Sequence, residues 1–279
     1  MSGAWFATPR VRVEWAAAGP VRVSTSWGVY RQAVPFLWIA SSAGNASLPP
    51  IRATQGTLGA EVHGKWGRVG VEGFVKRYRG YPVDPAEPAR VLISAGADFD
   101  VPFVGRLAPE GRVRASGVDL AAERAIGSTV RLAGSYSYWH VRQRGLELQW
   151  RPGDFDMRHQ VRVLAAWQPR LKWTASASWR YASGRPYTPF DVYVSTWVGA
   201  ARYDRKRTNA VNYTPYARLD VRLSRIFTPG RTVVTVFGEI ENLTDHDNIH
   251  AYTWSRSARR ADPVYQWGRT PVAGVRVEF

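Results

Sequence analysis

The stretch KWTASASWRY, residues 172–181, alternates from end to end. In an extended chain Trp173, Ala175, Ala177, Trp179 and Tyr181 share one face, and Lys172, Thr174, Ser176, Ser178 and Arg180 share the other. Successive side chains of a β-strand point to opposite sides, so the run is a strand with one apolar and one polar face. The pattern recurs. RVRVEW (10–15) aligns Val11, Val13 and Trp15. VRVSTSW (21–27) sets Val21, Val23, Thr25 and Trp27 against Arg22, Ser24 and Ser26. ARLDVRLS (217–224) sets Leu219, Val221 and Leu223 against Arg218, Asp220, Arg222 and Ser224. Helical periodicity is almost absent.

Eleven such runs are expected, at 3–15, 20–31, 53–63, 67–78, 112–123, 127–141, 157–167, 171–184, 215–227, 231–243 and 267–279. Most are 11 to 14 residues long, against about 5–6 for a strand of a soluble protein. A tilted strand that crosses a bilayer needs about 9–11 residues in the apolar zone. The connections alternate between two kinds. Short ones are AAAG (16–19), GKW (64–66), RAI (124–126), QPR (168–170) and TPG (228–230); long ones are 32–52, 79–111, 142–156, 185–214 and 244–266. Tight turns on one side and long loops on the other are the mark of an outer-membrane β-barrel. The fold class expected is therefore all-β, a transmembrane antiparallel β-barrel segment.

Composition agrees once the parity is known. Hydrophobic residues make up 45% of the chain, yet mean hydropathy is −0.30, because only every second strand residue meets lipid. No stretch of about 18 apolar residues is present, so no transmembrane helix is expected. The opening MSGAWFATPRVRVEW lacks the apolar core of a secretory leader. Net charge is +16, but the arginines are scattered singly, without the dense basic face of a nucleic-acid binder. That distribution suits an anionic membrane surface, lipopolysaccharide or acidic lipid. With no cysteine, disulfides, thiolate metal sites and cysteine nucleophiles are excluded.

Aromatics cluster beside the short turns. Trp15, Trp167, Trp173, Phe227 and Phe279 fall by parity on the apolar face, as a girdle at the lipid–water boundary requires. On the polar face, Arg218, Asp220, Arg222, Glu239 and Glu241 are expected to line a wet lumen, since unpaired charges do not survive in a narrow apolar core.

ENLTDHDN (241–248), SGRPYTPF (183–190), YARLDVRLSRIF (216–227), GVYRQ (28–32) and EGFVKRYRGYP (72–82), in that spacing and with a terminal Phe279, resemble the C-terminal part of the barrel of TonB-dependent outer-membrane receptors. The resemblance covers nearly the whole chain. It implies that residues 1–279 are one barrel domain, half of a 22-stranded wall that an N-terminal plug fills. It implies energy-coupled uptake of a scarce nutrient, with TonB acting only through the plug. It also implies that VAGVRVEF (272–279) carries an assembly signal, Gly274, Val277 and Phe279, read by the barrel assembly machinery; Val272 departs from the polar residue usual there. An open half-barrel leaves two edges unpaired in lipid, so the expectation is a piece of a longer chain or pairing with a second polypeptide. Expected partners are outer-membrane lipid, lipopolysaccharide, the assembly machinery, and the N-terminal barrel half with its plug. The alternatives are a small self-standing porin-like barrel and a soluble all-β carbohydrate-binding module.

The remaining motifs are weak. DHDN (245–248) offers Asp245, Asp247 and Asn248 to a cation but lacks the glycine and distal Glu of a calcium loop; an Asx-rich turn explains it better. Asn45 and Asn242 open glycosylation sequons of chance length. The histidines at 63, 140, 159, 246 and 250 show no metal-binding spacing, and no GxSxG elbow is present. No cofactor, metal site or enzymatic activity is expected. The basic segments ARYDRKRTN (201–209) and SRSARRAD (255–262) fall in long loops. Arg202, Arg205, Lys206, Arg207, Arg259 and Arg260 there are expected to capture an anionic ligand, to touch lipopolysaccharide phosphates, or simply to be solvated.

Overall fold

A computed structural model of the chain describes residues 5–17, 19–93 and 105–279. Among these residues one antiparallel meander dominates. Its strands are β1 (Arg10–Ala16), β2 (Val21–Gln32), β3 (Ile51–Gly64), β4 (Gly67–Val83), β5 (Ala108–Ile126), β6 (Val130–Arg144), β7 (His159–Arg170), β8 (Trp173–Ala182), β9 (Tyr216–Phe227), β10 (Val233–Glu241) and β11 (Thr270–Glu278). Each pairs with the next in sequence, and β1 and β11 are the two ends of the path. All eleven expected runs are found. The first, expected at 3–15, appears as Arg10–Ala16; its residues 3 and 4 lie outside the described residues, as do 94–104 of the loop expected at 79–111.

Two short turns sit three residues later than expected. Arg124, Ala125 and Ile126 continue β5, with Ala125 opposite Arg131 and Ile126 opposite Val130. The turn is 127–129, where Gly127 takes φ +60°. Gln168, Pro169 and Arg170 likewise belong to β7, and Leu171–Lys172 make the turn with Lys172 at φ +85°. Pro169 has no N–H to give the ladder, and the β7–β8 register slips between Trp167 and Arg170. The β3–β4 turn depends on Gly67, at φ +135°, where an added Cβ would lie 2.1 Å from the Glu123 carbonyl oxygen.

Register decides the faces. Leu219 lies opposite Trp179, Val221 opposite Ala177, and Leu223 opposite Ala175; Val221 is also opposite Ile240. The opposite parity carries Ser176, Ser178, Asp220, Arg222 and Glu239, which together with His63, Arg68 and Glu123 line one open cavity of about 980 Å³. Residues from β3 to β10 share that cavity, so the polar face is the concave one. The apolar face is convex and uncovered: Leu58, Val71, Leu120, Val163, Leu223 and Val275 are all exposed.

The buried apolar clusters lie elsewhere. Val83, Val91, Val113 and Val141 form one; Val34, Trp38, Ile51, Leu92 and Leu107 form the other. Both sit at the long-loop ends of the strands, where residues 84–93 fold back onto the concave face. Gly80, at φ +79°, breaks the β4–β5 register beyond Arg79, and Tyr81 joins both clusters. A soluble sandwich buries its apolar strand face against a second sheet. Here that face is the bare one, as lipid requires.

Leu120→Arg, in the middle of the convex band, is expected to lower stability in lipid vesicles by about 2–4 kcal/mol. Ala121→Gln, one residue on and facing inward, is expected to stay within about 0.5 kcal/mol. Urea unfolding of both variants checks the assignment of faces.

Candidate functional site

The concave wall of β8, β9 and β10 carries a charge network. Asp220, 8% exposed, accepts from Arg180 Nη2 at 2.8 Å, from Arg218 Nε at 2.6 Å and from the Asn242 backbone N–H at 2.9 Å. Arg218 reaches on to Glu241 at 3.1 Å, and Arg222 holds Glu239 at 3.3 Å. The five residues expected to line the lumen thus lie on one wall, Arg218, Asp220 and Glu241 in one network and Arg222 with Glu239 in a neighbouring pair; Arg180, on the polar face of KWTASASWRY, joins the first through Asp220. Asp220 gains both guanidiniums and a backbone donor, which offsets its desolvation.

ENLTDHDN closes the top of this wall. Asn242 sits at φ +49°, donates its side-chain amide to the His246 carbonyl at 3.1 Å and accepts from His246 N–H at 3.2 Å. Asn248 exchanges two bonds of 2.9 Å with the Ala217 backbone, standing in for a strand partner at the end of β9. Asp245 Oδ1 accepts from Arg269 N–H at 2.7 Å. Asn242, Asp245 and Asn248 are thus engaged with backbone, and among the described residues no group of three His, Cys, Asp or Glu is placed to hold a metal. The sequon asparagines Asn45 and Asn242 are 0% and 1% exposed. Asn45 ties Trp38, Gly105 and Leu107 together.

The long loops are fastened to each other. Arg205 donates to the Ala86 carbonyl at 2.9 Å and lies 3.7 Å from Glu87. Arg151 donates to the Lys206 carbonyl at 3.2 Å. Arg260 pairs with Asp262 at 2.7 Å, and Arg259 occupies a tight turn at φ +51° between strands Ile249–Ser255 and Arg260–Tyr265. Arg202, Lys206 and Arg207 are exposed and form no ion pair among the described residues. The six basic residues expected to act together therefore fall into two groups, 202–207 and 259–260.

Between those groups lies an aromatic seam that the sequence pattern did not reveal. Tyr187 stands 4.4 Å from Tyr213 and 5.1 Å from Tyr252, centroid to centroid, and Phe190 stands 4.9 Å from Tyr203 and 6.0 Å from Trp254. Burial first, then its tyrosine neighbours, hold the Tyr187 hydroxyl above its ordinary pKa, so it stays neutral in physiological conditions. The density of aromatics in YTPF was the available signal; Tyr203 and Tyr213 lie farther along the same loop and Tyr252 and Trp254 in the next one, all out of reach of local periodicity.

Residues 2–243 match the family model for the TonB dependent receptor-like β-barrel. The chain belongs to that family. It is an outer-membrane family. Its fold is shared with the ferric citrate transporter FecA in unliganded form (TM-score 0.67, 12% identity, 97% of this chain and 38% of that one). The copper transporter OprC gives 0.64 at 14% identity, over 95% of this chain and 38% of that one. The ferripyoverdine receptor of the outer membrane of Pseudomonas aeruginosa gives 0.63 at 10% identity, over 96% and 32%. The chain thus spans about a third of the length of these receptors. No curated protein matches the sequence.

In this receptor-type wall, Trp15, Trp167, Trp173, Phe227 and Phe279 all project from the convex face at the short-turn end. Trp15 is 66% and Trp167 53% exposed, and Phe279 is fully exposed. Arg225 lies 5.0 Å from the Trp173 ring and 4.7 Å from that of Phe227. A second aromatic group on the same face, Tyr136, Tyr138, Trp179 and Tyr181, lies toward the long loops; Tyr136 bonds His159 at 2.9 Å. Gly274 lies on the concave face opposite Phe237. An added Cβ there would lie 2.5 Å from the Phe237 ring, whose other side is covered by Arg222 at 3.6 Å.

Asp220→Asn is expected to destabilise the wall by about 2 kcal/mol or more, since two charge-assisted bonds are weakened. Combined with Arg180→Gln, the loss is expected to fall short of the sum by at least about 0.5 kcal/mol. Unfolding in detergent micelles measures both.

Proposed function

We propose that this chain is the C-terminal half of the wall of a TonB-dependent receptor and serves energy-coupled nutrient uptake. The observation that carries the reading is the open sheet. Eleven strands end on β1 and β11, and in lipid each unpaired backbone group costs several kcal/mol. Further wall strands satisfy both edges at once. The plug then sits in the concavity against Arg218, Asp220, Arg222, Glu239 and Glu241, and TonB acts on the plug rather than on this wall. The network is mostly internally paired, so the wall is a polar sliding surface rather than a binding pocket.

Capture of the nutrient falls to the long loops, which face outward in this topology. Among the described residues of the loop 201–209, Arg202, Lys206 and Arg207 form no ion pair; Arg205 and Arg260 act as fasteners, and Arg259 shapes a turn. A metal chelate with anionic groups is the substrate class favoured, given this charge and given that the fold is shared with carriers of ferric citrate and copper. Gly274, Val277 and Phe279 serve as the assembly signal, with β11 offering its free edge to the assembly machinery. The aromatic girdle at the short-turn end and lipopolysaccharide contact on the opposite side fix the depth of the wall.

An antibody to loop 244–266 provides the test on outer-membrane fractions of the native cell. A band far heavier than 31.3 kDa is expected. A membrane band at the chain's own mass that shifts on heating would contradict the half-wall reading and favour a self-standing barrel.

A further inference from the structure

Eight arginines stand on the convex face just beyond the apolar band, and the register aligns them. Arg31 is opposite Arg52, Arg52 opposite Arg79, Arg79 opposite Arg112, and Arg112 opposite Arg144. One rung toward the short turns, Arg77 is opposite Arg114 and Arg114 opposite Arg142. With strands about 4.8 Å apart, the upper row runs roughly 19 Å across five strands. Like charges set directly opposite one another are destabilising. Among the described residues, none of the eight pairs with a carboxylate.

The row is oriented rather than loose. Arg114 and Arg144 lie 4.4 and 5.5 Å from the Trp150 ring, and Arg142 donates to the Trp150 carbonyl at 2.6 Å. The Nε atoms of Arg31, Arg142 and Arg144 are buried without a hydrogen-bond partner. The concave side of the same rungs is shut, because Val113 and Val141 pack beneath Val83 and Val91. A counter-charge can therefore arrive only from the convex side.

Height identifies that counter-charge. On β4, Val69, Val71 and Val75 lead to Arg77 and Arg79; on β5, Leu120 and Val118 lead to Arg114 and Arg112. From Val69 to Arg79 is about 33 Å of strand, or about 25 Å of height at the usual tilt, which is the thickness of the apolar band. The guanidiniums stand at headgroup level on the long-loop side, and exposed Val75, Val118 and Tyr138 continue directly below them.

We propose that this arginine ladder is a lipid site, which seats a multiply phosphorylated lipid of the lipopolysaccharide class on the outside of the wall. Guanidinium forks hold the phosphates, several at once because the row is long, and acyl chains lie along the valines beneath. The site is separate from the loop cations of ligand capture. It rests on the reading that the convex face meets lipid.

The test uses protein purified from outer membranes in mild detergent, with bound phosphorylated lipid measured per chain by phosphate analysis and native mass. The wild type is expected to retain it through washing. Arg79→Gln/Arg112→Gln/Arg114→Gln is expected to retain at least about tenfold less, since three charge-assisted contacts are removed, while still fractionating with the membrane. Arg162→Gln, on the concave face, is expected to retain the wild-type amount. Equal retention by the triple variant overturns the proposal, as does equal loss in Arg162→Gln. Displacement of the lipid by millimolar inorganic phosphate would make this a free-anion site and also overturn it. A wild type absent from the membrane fraction would instead overturn the lipid-facing reading, and the proposal with it.

Discussion

Backbone hydrogen bonding in a medium without water governs this structure. A strand surrounded by hydrocarbon has only another strand to satisfy its N–H and C=O groups. An antiparallel meander does this with the shortest connections, and that is the order from β1 to β11. Once the backbone is paired sideways, the side chains can face only two media. The strict twofold alternation of KWTASASWRY and ARLDVRLS follows from that choice. So does the inversion of ordinary burial, in which the middle of the strands presents valine and leucine outward and keeps Asp220, Arg222 and Glu239 within.

The long-loop side follows a different logic. There the chain leaves lipid and must build its own small cores. The two apolar clusters, the Asn45 staple and the aromatic seam around Tyr187 all belong to this region. Segments 84–93, 145–158 and 183–215 are held to each other by Arg151, Arg205 and Asn209. The rim therefore behaves as one platform, and the concave wall of β8 to β10 below it as a scaffold whose charges around Asp220 and Glu239 are paired with one another. The lower end needs neither device, because two- to five-residue turns leave little to organise.

Strand number, order and facing were legible in the sequence because each depends on local alternation and on pairing with the next strand. Turn positions were less so: the polar look of RAI and QPR suggested breaks, yet ladder pairing carried both on to Ile126 and Arg170, where Gly127 and Lys172 take positive φ. That Arg218, Asp220, Arg222, Glu239 and Glu241 share one face was legible by parity, but the joining at Asp220 through Arg180 was not, since it links residues 40 apart in the chain. The arginine rows were invisible for the same reason. Arg52, Arg79 and Arg112 look like scattered surface charges until register sets them side by side. How the loops 185–214 and 244–266 meet was not legible either, because their contact runs through Tyr252 and Trp254, far from Tyr187 and Phe190 in sequence.

The most direct test of the central claim is a single-cysteine scan along β9, from Ala217 to Phe227, with spin labels in lipid vesicles. The natural chain has no cysteine, so each label is unique. Labels at 219, 221 and 223 are expected to be reached by lipid-soluble oxygen, and those at 218, 220 and 222 by a water-soluble relaxant. Uniform access to the aqueous reagent along the strand, or an alternation of the opposite phase, would contradict a wall that turns its apolar face to lipid.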